Sequence, residues 1–317
     1  MVVFPDSSTA LLAPGVNNIP YEPFPDFGSI HGLTFGAESS YNSAQVKIER
    51  QFQNGLSFLG SYTLSHSLDD SREPLPDSND GGNRNYNILG LSPDYSDSPF
   101  DVRHRFTFTG TYELPFGRGR RFLHSSGGLA GGLINTFLGG WNDTLVFLSQ
   151  TGTPFTVSSN TPTVNGAGAF PYLIADPFKG GGTPSGTNTL TSCPAHVHTL
   201  ANWYNPCAFA DPPAASLITT PVTGASQVLA YLGSPRSQIH GPGYRRLNTT
   251  LTKNFPTIRE QYLQFRADVF NLFNTPSWGG PANQTTGPQG GLINGPNFFG
   301  NYTPDQRFFQ LALKYYF

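Results

Sequence analysis

The chain has 317 residues and a formal charge of −2 at neutral pH, with only 12% of residues charged, about half the usual ~25%. Its 36 glycines and 28 prolines make up about a fifth of it, against a usual ~12%, and aromatics contribute 14%. That balance excludes a charged coiled coil, a disordered chain and a basic nucleic-acid binder; the lack of any run of ~18 apolar residues excludes a membrane-spanning helix.

From the N-terminus, residues 1–14 show no basic segment followed by a continuous apolar run, so no signal peptide is expected there. Seven segments then alternate apolar and polar residues with period two, the mark of a strand with one face of each kind. They are 44–52, 56–64, 106–114, 141–157, 247–255, 262–273 and 309–317. In the first, Ala44, Val46, Ile48 and Phe52 alternate with Gln45, Lys47, Glu49 and Gln51. The fourth alternates least cleanly. Globular strands usually run ~5–6 residues, whereas a tilted strand crossing a bilayer needs ~9–11, so these lengths favour a membrane barrel.

The connections alternate in length. Gln53-Asn54-Gly55 is a tight hairpin with the Asn-Gly turn signal. Residues 65–105 form a long polar loop, 115–140 an intermediate Gly-rich one, 158–246 a very long one, 256–261 a short one and 274–308 a long one. In an antiparallel barrel every second connection lies on the same side, short turns on the periplasmic side and long loops outside. Aromatics near the short-turn ends, Phe52, Phe58, Tyr112, Phe116, Trp141, Phe255, Tyr262, Tyr315 and Phe317, form an expected interfacial girdle.

Several segments, taken in order, resemble the C-terminal barrel region of TonB-dependent outer-membrane receptors, especially the Oar-like group. They are SYNSAQ at 40–45, GLSFLGSYTLSH at 55–66, DVRHRF at 101–106, YELPFG at 112–117 and GGW at 139–141. QTGTPFT at 150–156, WYNP at 203–206, GPGY at 241–244, FRADVFNLFN at 265–274 and the terminal Phe317 continue the series. The resemblance implies a 22-stranded barrel filled by an N-terminal plug and importing a ligand with energy from the TonB complex. This sequence shows no plug and no TonB box. It is therefore expected to be an all-β, antiparallel up-and-down meander of about seven or eight long transmembrane strands, part of such a barrel. Residues 1–40 would be a loop or incomplete strand of the upstream barrel, with 29–36 a candidate eighth strand, and 41–317 the C-terminal barrel. The alternating Phe309, Leu311, Leu313, Tyr315 and Phe317 read as a lipid-facing strand. By resemblance they are also the signal for the barrel assembly machinery, recognised by strand addition.

Candidate chemical sites are few. Cys193 and Cys207 can close a disulfide contributing about 3 kcal/mol by the chain-entropy estimate. Free thiols, or metal binding with the intervening His196 and His198, are the alternatives, though neither Cys-x2–4-Cys nor His-x3–5-His spacing occurs. The loop holding Asp69, Asp70, Glu73, Asp77, Asp80, Asp94, Asp97 and Asp101 reads as solvated; Asp77 to Gly82 departs from calcium-loop spacing and lacks the terminal Glu. No hydrolase, zincin or phosphate-loop motif appears, so neither catalytic residues nor a cofactor are expected. Lys47, Glu49, Arg105, Glu113, Arg266, Asp268 and Lys314 are expected to face the lumen or plug. Arg266 and Asp268, two apart on a strand, share a face. Trp203, Tyr204, Tyr231 and Trp278 are candidate ligand contacts in the two largest loops, or else pack those loops.

The function expected is a non-enzymatic receptor barrel in the outer membrane of a Gram-negative-type bacterium. Its partners would be membrane lipid, the assembly machinery, an extracellular ligand, and TonB through a plug, with no nucleic acid. A surface adhesion or structural protein without transport is the alternative, and a soluble β-sandwich binding module a third.

Overall fold

The computed structural model describes residues 38–70, 95–117, 120–122, 132, 135–158, 170–184, 190–210, 234–258, 260–283, 290–296 and 306–317, and the backbone of a short ladder at 2–3 and 9–10. Residues 29–36, 77–82 and Tyr231 lie outside them.

Seven long strands dominate. They are β1 (Ser39–Gln53), β2 (Leu56–Asp69), β3 (His104–Glu113), β4 (Trp141–Gln150), β5 (Tyr244–Pro256), β6 (Tyr262–Phe270) and β7 (Phe308–Tyr316). Each pairs antiparallel with its sequence neighbours, so the sheet order is the chain order, an up-and-down meander. A two-residue strand, Ser96–Asp97, adds an eighth member against the end of β2. Among the described residues β1 and β7 are open edges of this path. Among the described residues no helix is long and apolar enough to cross a membrane, which leaves crossing to strands.

The β1–β2 turn needs left-handed backbone at both central positions. Asn54 (φ 55°) and Gly55 (φ 78°) supply it, as a two-residue primed turn requires. A bulge between Arg50 and Gln53 precedes that turn.

Expected and observed boundaries differ most at five places; β2 runs on to Asp69 rather than 64 and β5 begins at Tyr244 rather than 247. β1 starts at Ser39, five residues before the alternating stretch. The fourth strand ends at Gln150 rather than 157. Backbone carbonyls of Gly241 and Pro242 crowd the place where a side chain of Gly152 would sit, and Pro154 brings no amide donor. The chain turns away, and Pro154–Phe155 pairs instead with Ile239–His240. The sixth strand ends at Phe270 rather than 273. Asn271 (φ 53°) and Asn274 (φ 51°) close a turn in which the Asn274 amide donates to the Asn271 carbonyl at 2.8 Å.

Register gives each face a dominant character, with Asp143, Arg245 and Lys253 as charged members of the mainly apolar one. Val46 stands opposite Tyr62, Tyr62 opposite Phe106, Phe108 opposite Phe147 and Phe147 opposite Leu247; farther along, Phe265 stands opposite Leu313 and Ala267 opposite Leu311. Directly opposed residues share a face, so one apolar surface runs across all seven strands. On the edge strands it is uncovered: Ile48 is 61% exposed and Leu311 69%. The buried apolar core lies elsewhere, in the β4–β5 connection. Val157, Tyr204, Ala208, Phe209 and Ile239 form it, with Phe155, Phe178 and Trp203 packed alongside.

Candidate functional site: the cap and the cavity beneath it

The connections β4–β5 and β6–β7 interlock into one cap at the long-loop end of the sheet. Asn205 organises its centre. Its Oδ1 accepts from the Cys207 amide at 3.0 Å, capping a short 3-10 turn at Pro206–Ala208. Its Nδ2 donates to the carbonyls of Lys179 (2.9 Å) and Gly181 (2.8 Å). A Cys193–Cys207 disulfide braces the same turn. The second connection enters through backbone bonds from Trp203 to Gly291 (2.8 Å), Ile293 to Leu200 (2.8 Å) and Ser158 to Asn283 (2.7 Å). Tyr204 is fully buried and donates to the Ala282 carbonyl at 3.0 Å. Burial pushes its hydroxyl pKa well above the ordinary tyrosine value, opposed in part by a backbone hydrogen bond from Gly291. Its ring is core, out of reach of any ligand.

The β2–β3 connection is not wholly solvated as expected. Asp69, Asp70 and Asp101 are buried. The Asp101 carboxylate accepts from the Ser67 amide at 2.8 Å, and Asp70 accepts from the Glu38 amide at 2.8 Å. Buried Arg236 reaches from the cap to the carboxylate and carbonyl of Asp69. Unpaired carboxylates at these depths would be costly; each has a partner, although Oδ2 of Asp101 accepts no hydrogen bond and faces only the Arg103 guanidinium at 3.4 Å.

The seven residues expected to face the lumen all lie on the polar face, opposite the apolar one. Register aligns Gln45, Thr63 and Arg105, then Lys47, Ser61 and Thr107, and farther along Gln264 and Lys314. Lys47 and Glu49 pair at 2.9 Å. Arg120 pairs with Glu113. Arg266 Nε donates to both Asp268 oxygens at 2.9 Å, and Thr250 adds a hydroxyl at 2.7 Å. Arg105 lines a small cavity of about 360 Å³ with Tyr41, Gln45 and Asp101. Of the expected girdle, Phe58, Tyr112, Phe255 and Tyr315 lie on the apolar face. Tyr262 does not: it pairs with Tyr316 on the polar face, rings stacked at 4.5 Å. Phe309, Leu311, Leu313 and Tyr315 occupy the apolar face of edge strand β7, and Phe317 is 98% exposed beyond it.

Beneath the cap, on the apolar face, opens a cavity of about 1010 Å³. Tyr62, His104, Phe106, Ser149 and Arg245 form its floor; Phe178, His198, Trp203 and Trp278 come from the cap. Two of the expected ligand contacts, Trp203 and Trp278, thus meet here. Nothing in the sequence flagged His104, His240 or Arg245, because cavity-lining residues come from positions 62 to 278 with no common spacing. Nearby, ligand atoms of His66, Asp97 and Asp101 come within 4.8 Å of one another. Arg103 stands 3.2 Å from Asp97 and 3.4 Å from Asp101 and offsets one of their two charges.

A family model described as an outer membrane beta barrel domain matches residues 5–310. No curated protein and no solved structure matches the chain.

Proposed function

The chain belongs to the outer membrane beta barrel domain family, and we propose that it is the C-terminal barrel of a TonB-dependent receptor that takes up an extracellular ligand. Its place is the outer membrane, with the apolar strand face toward lipid and the short turns on the periplasmic side. The observation that carries the transport reading is the cap. The β4–β5 connection builds its own apolar core and disulfide at the outer rim, and the β6–β7 connection is hydrogen-bonded onto it. The polar face, with Lys47, Glu49, Arg105, Glu113, Arg266, Asp268 and Lys314, is then the lumen wall that meets a plug of the complete receptor. Assembly would read the alternating edge strand that ends at Phe317. The chemistry is binding and passage, not catalysis.

The test is to isolate the protein from its own outer membrane and probe it with the periplasmic domain of TonB. Capture of TonB, together with loss of energised ligand accumulation when the gene is deleted, is the expected outcome. A protein that captures no TonB and whose deletion leaves uptake unchanged would instead be a surface adhesion or structural barrel.

A further inference from the structure

We infer that the cavity under the cap is a binding site for a phosphorylated lipid of the outer leaflet. The inference rests on the reading of the apolar strand face as lipid-facing. Register places Tyr62, Phe106, Ser149 and Arg245 opposite one another in sequence along that face. Phe106, Ser149 and Arg245 stand near the long-loop ends of their strands, and Tyr62 at the middle of the longer β2. The cavity therefore opens outside the barrel wall, at the height where hydrocarbon gives way to head groups, and not in the lumen where an imported ligand would pass.

Its chemistry fits an amphiphile with an anionic head. The described lining holds two arginines and three histidines, Arg103, Arg245, His104, His198 and His240, and no carboxylate. Asp97 and Asp101 stand close by. Asp97 is engaged by Arg103 at 3.2 Å, His66 at 2.8 Å and His240 at 3.3 Å, and Asp101 by Arg103 at 3.4 Å. Arg245 is different. It is exposed, and among the described residues its guanidinium has no ion pair or hydrogen bond. A guanidinium offers a fork of donors matched to phosphate oxygens. His104 adds a ring held against Tyr62, its Nδ1 at 2.8 Å from the hydroxyl. Phe106, Trp203 and Trp278 give the same cavity aromatic walls, and tryptophan favours this boundary between apolar and polar surroundings.

The test uses tryptophan quenching in the full chain inserted into phosphatidylcholine vesicles. Trp141→Phe leaves Trp203 and Trp278 as reporters; Trp141→Tyr replaces it should the first variant fail to insert. Brominated phosphatidic acid is expected to quench these rim tryptophans more than brominated phosphatidylcholine at equal mole fraction. Arg245→Gln should reduce that preference roughly tenfold, as expected for one lost charge-assisted contact, and Arg245→Lys should retain part of it. Equal quenching by the two lipids, or an unchanged preference in Arg245→Gln, overturns the inference. An Arg245-dependent change in the fluorescence of these tryptophans with inorganic phosphate in phosphatidylcholine vesicles, as large as with phosphatidic acid at the same phosphate content, also overturns it, in favour of a soluble anion. A Trp203→Phe, Trp278→Phe chain keeps only Trp141, at the opposite end of the apolar face. If neither lipid quenches Trp141, the lipid-facing reading itself has failed, separately from the site.

Discussion

Arg236 and Asp69 are 167 residues apart in the chain and meet out of water, one in the cap and one at the end of β2. Removing one member of such a pair strands the other, which typically costs 3–5 kcal/mol, whereas replacing both with apolar residues is far milder. Arg236→Leu should therefore lower the denaturant midpoint in detergent strongly, and Asp69→Leu combined with Arg236→Leu should recover much of it. Equal losses in the single and double variants would mean that the pair is not coupled. Tyr204 gives a second residue-scale expectation. Its folded-state pKa lies above the unfolded value of about 10, because burial disfavours the phenolate. Stability from this group is then complete below pH ~10 and falls as pH rises beyond it. Thermal unfolding of the wild type followed above pH 10 should show that loss, and Tyr204→Phe should flatten it.

At the scale of the element, the strands were legible because a period of two needs only local information, and the Asn54-Gly55 turn fixed one register directly. Strand ends were less so. The stop after Gln150 depends on the backbone of Gly241 and Pro242, some ninety residues away. The cap was invisible, since its segments share no period and its core is assembled from loops; Tyr204 and Trp203 are adjacent in sequence, yet one is core and the other lines a cavity. The same alternation yields a paired prediction on β7. Leu311 sits on the apolar face and its neighbour Gln310 on the polar one, opposite Ala267 and Asp268. An arginine on a lipid face costs ~2–4 kcal/mol at mid-bilayer. Leu311→Arg should thus cut the heat-modifiable, folded fraction recovered from outer membranes, while Gln310→Arg leaves it nearly unchanged. Equal effects would argue that the faces are wrongly assigned.

For the whole molecule, the open edges make a prediction of their own. In the isolated chain, amides of β1 and β7 should exchange with solvent before those of β3, β4 and β5, whose backbone groups pair on both sides. Uniform protection by hydrogen exchange would mean that the edges had found a partner. What that partner is follows from counting directions. The described meander has an odd number of long strands, so β1 and β7 both point from the cap toward the short-turn rim. Joining them to each other would force a parallel seam. Copies arranged about an axis normal to the membrane keep every strand's direction, so a ring of this sheet would repeat that parallel seam at each junction. Antiparallel closure demands an odd complement of further strands, and any barrel of even total, as bacterial ones have, contains it. Parity thus excludes self-closure and symmetric rings of this sheet alone from fully antiparallel solutions, before any side chain is considered.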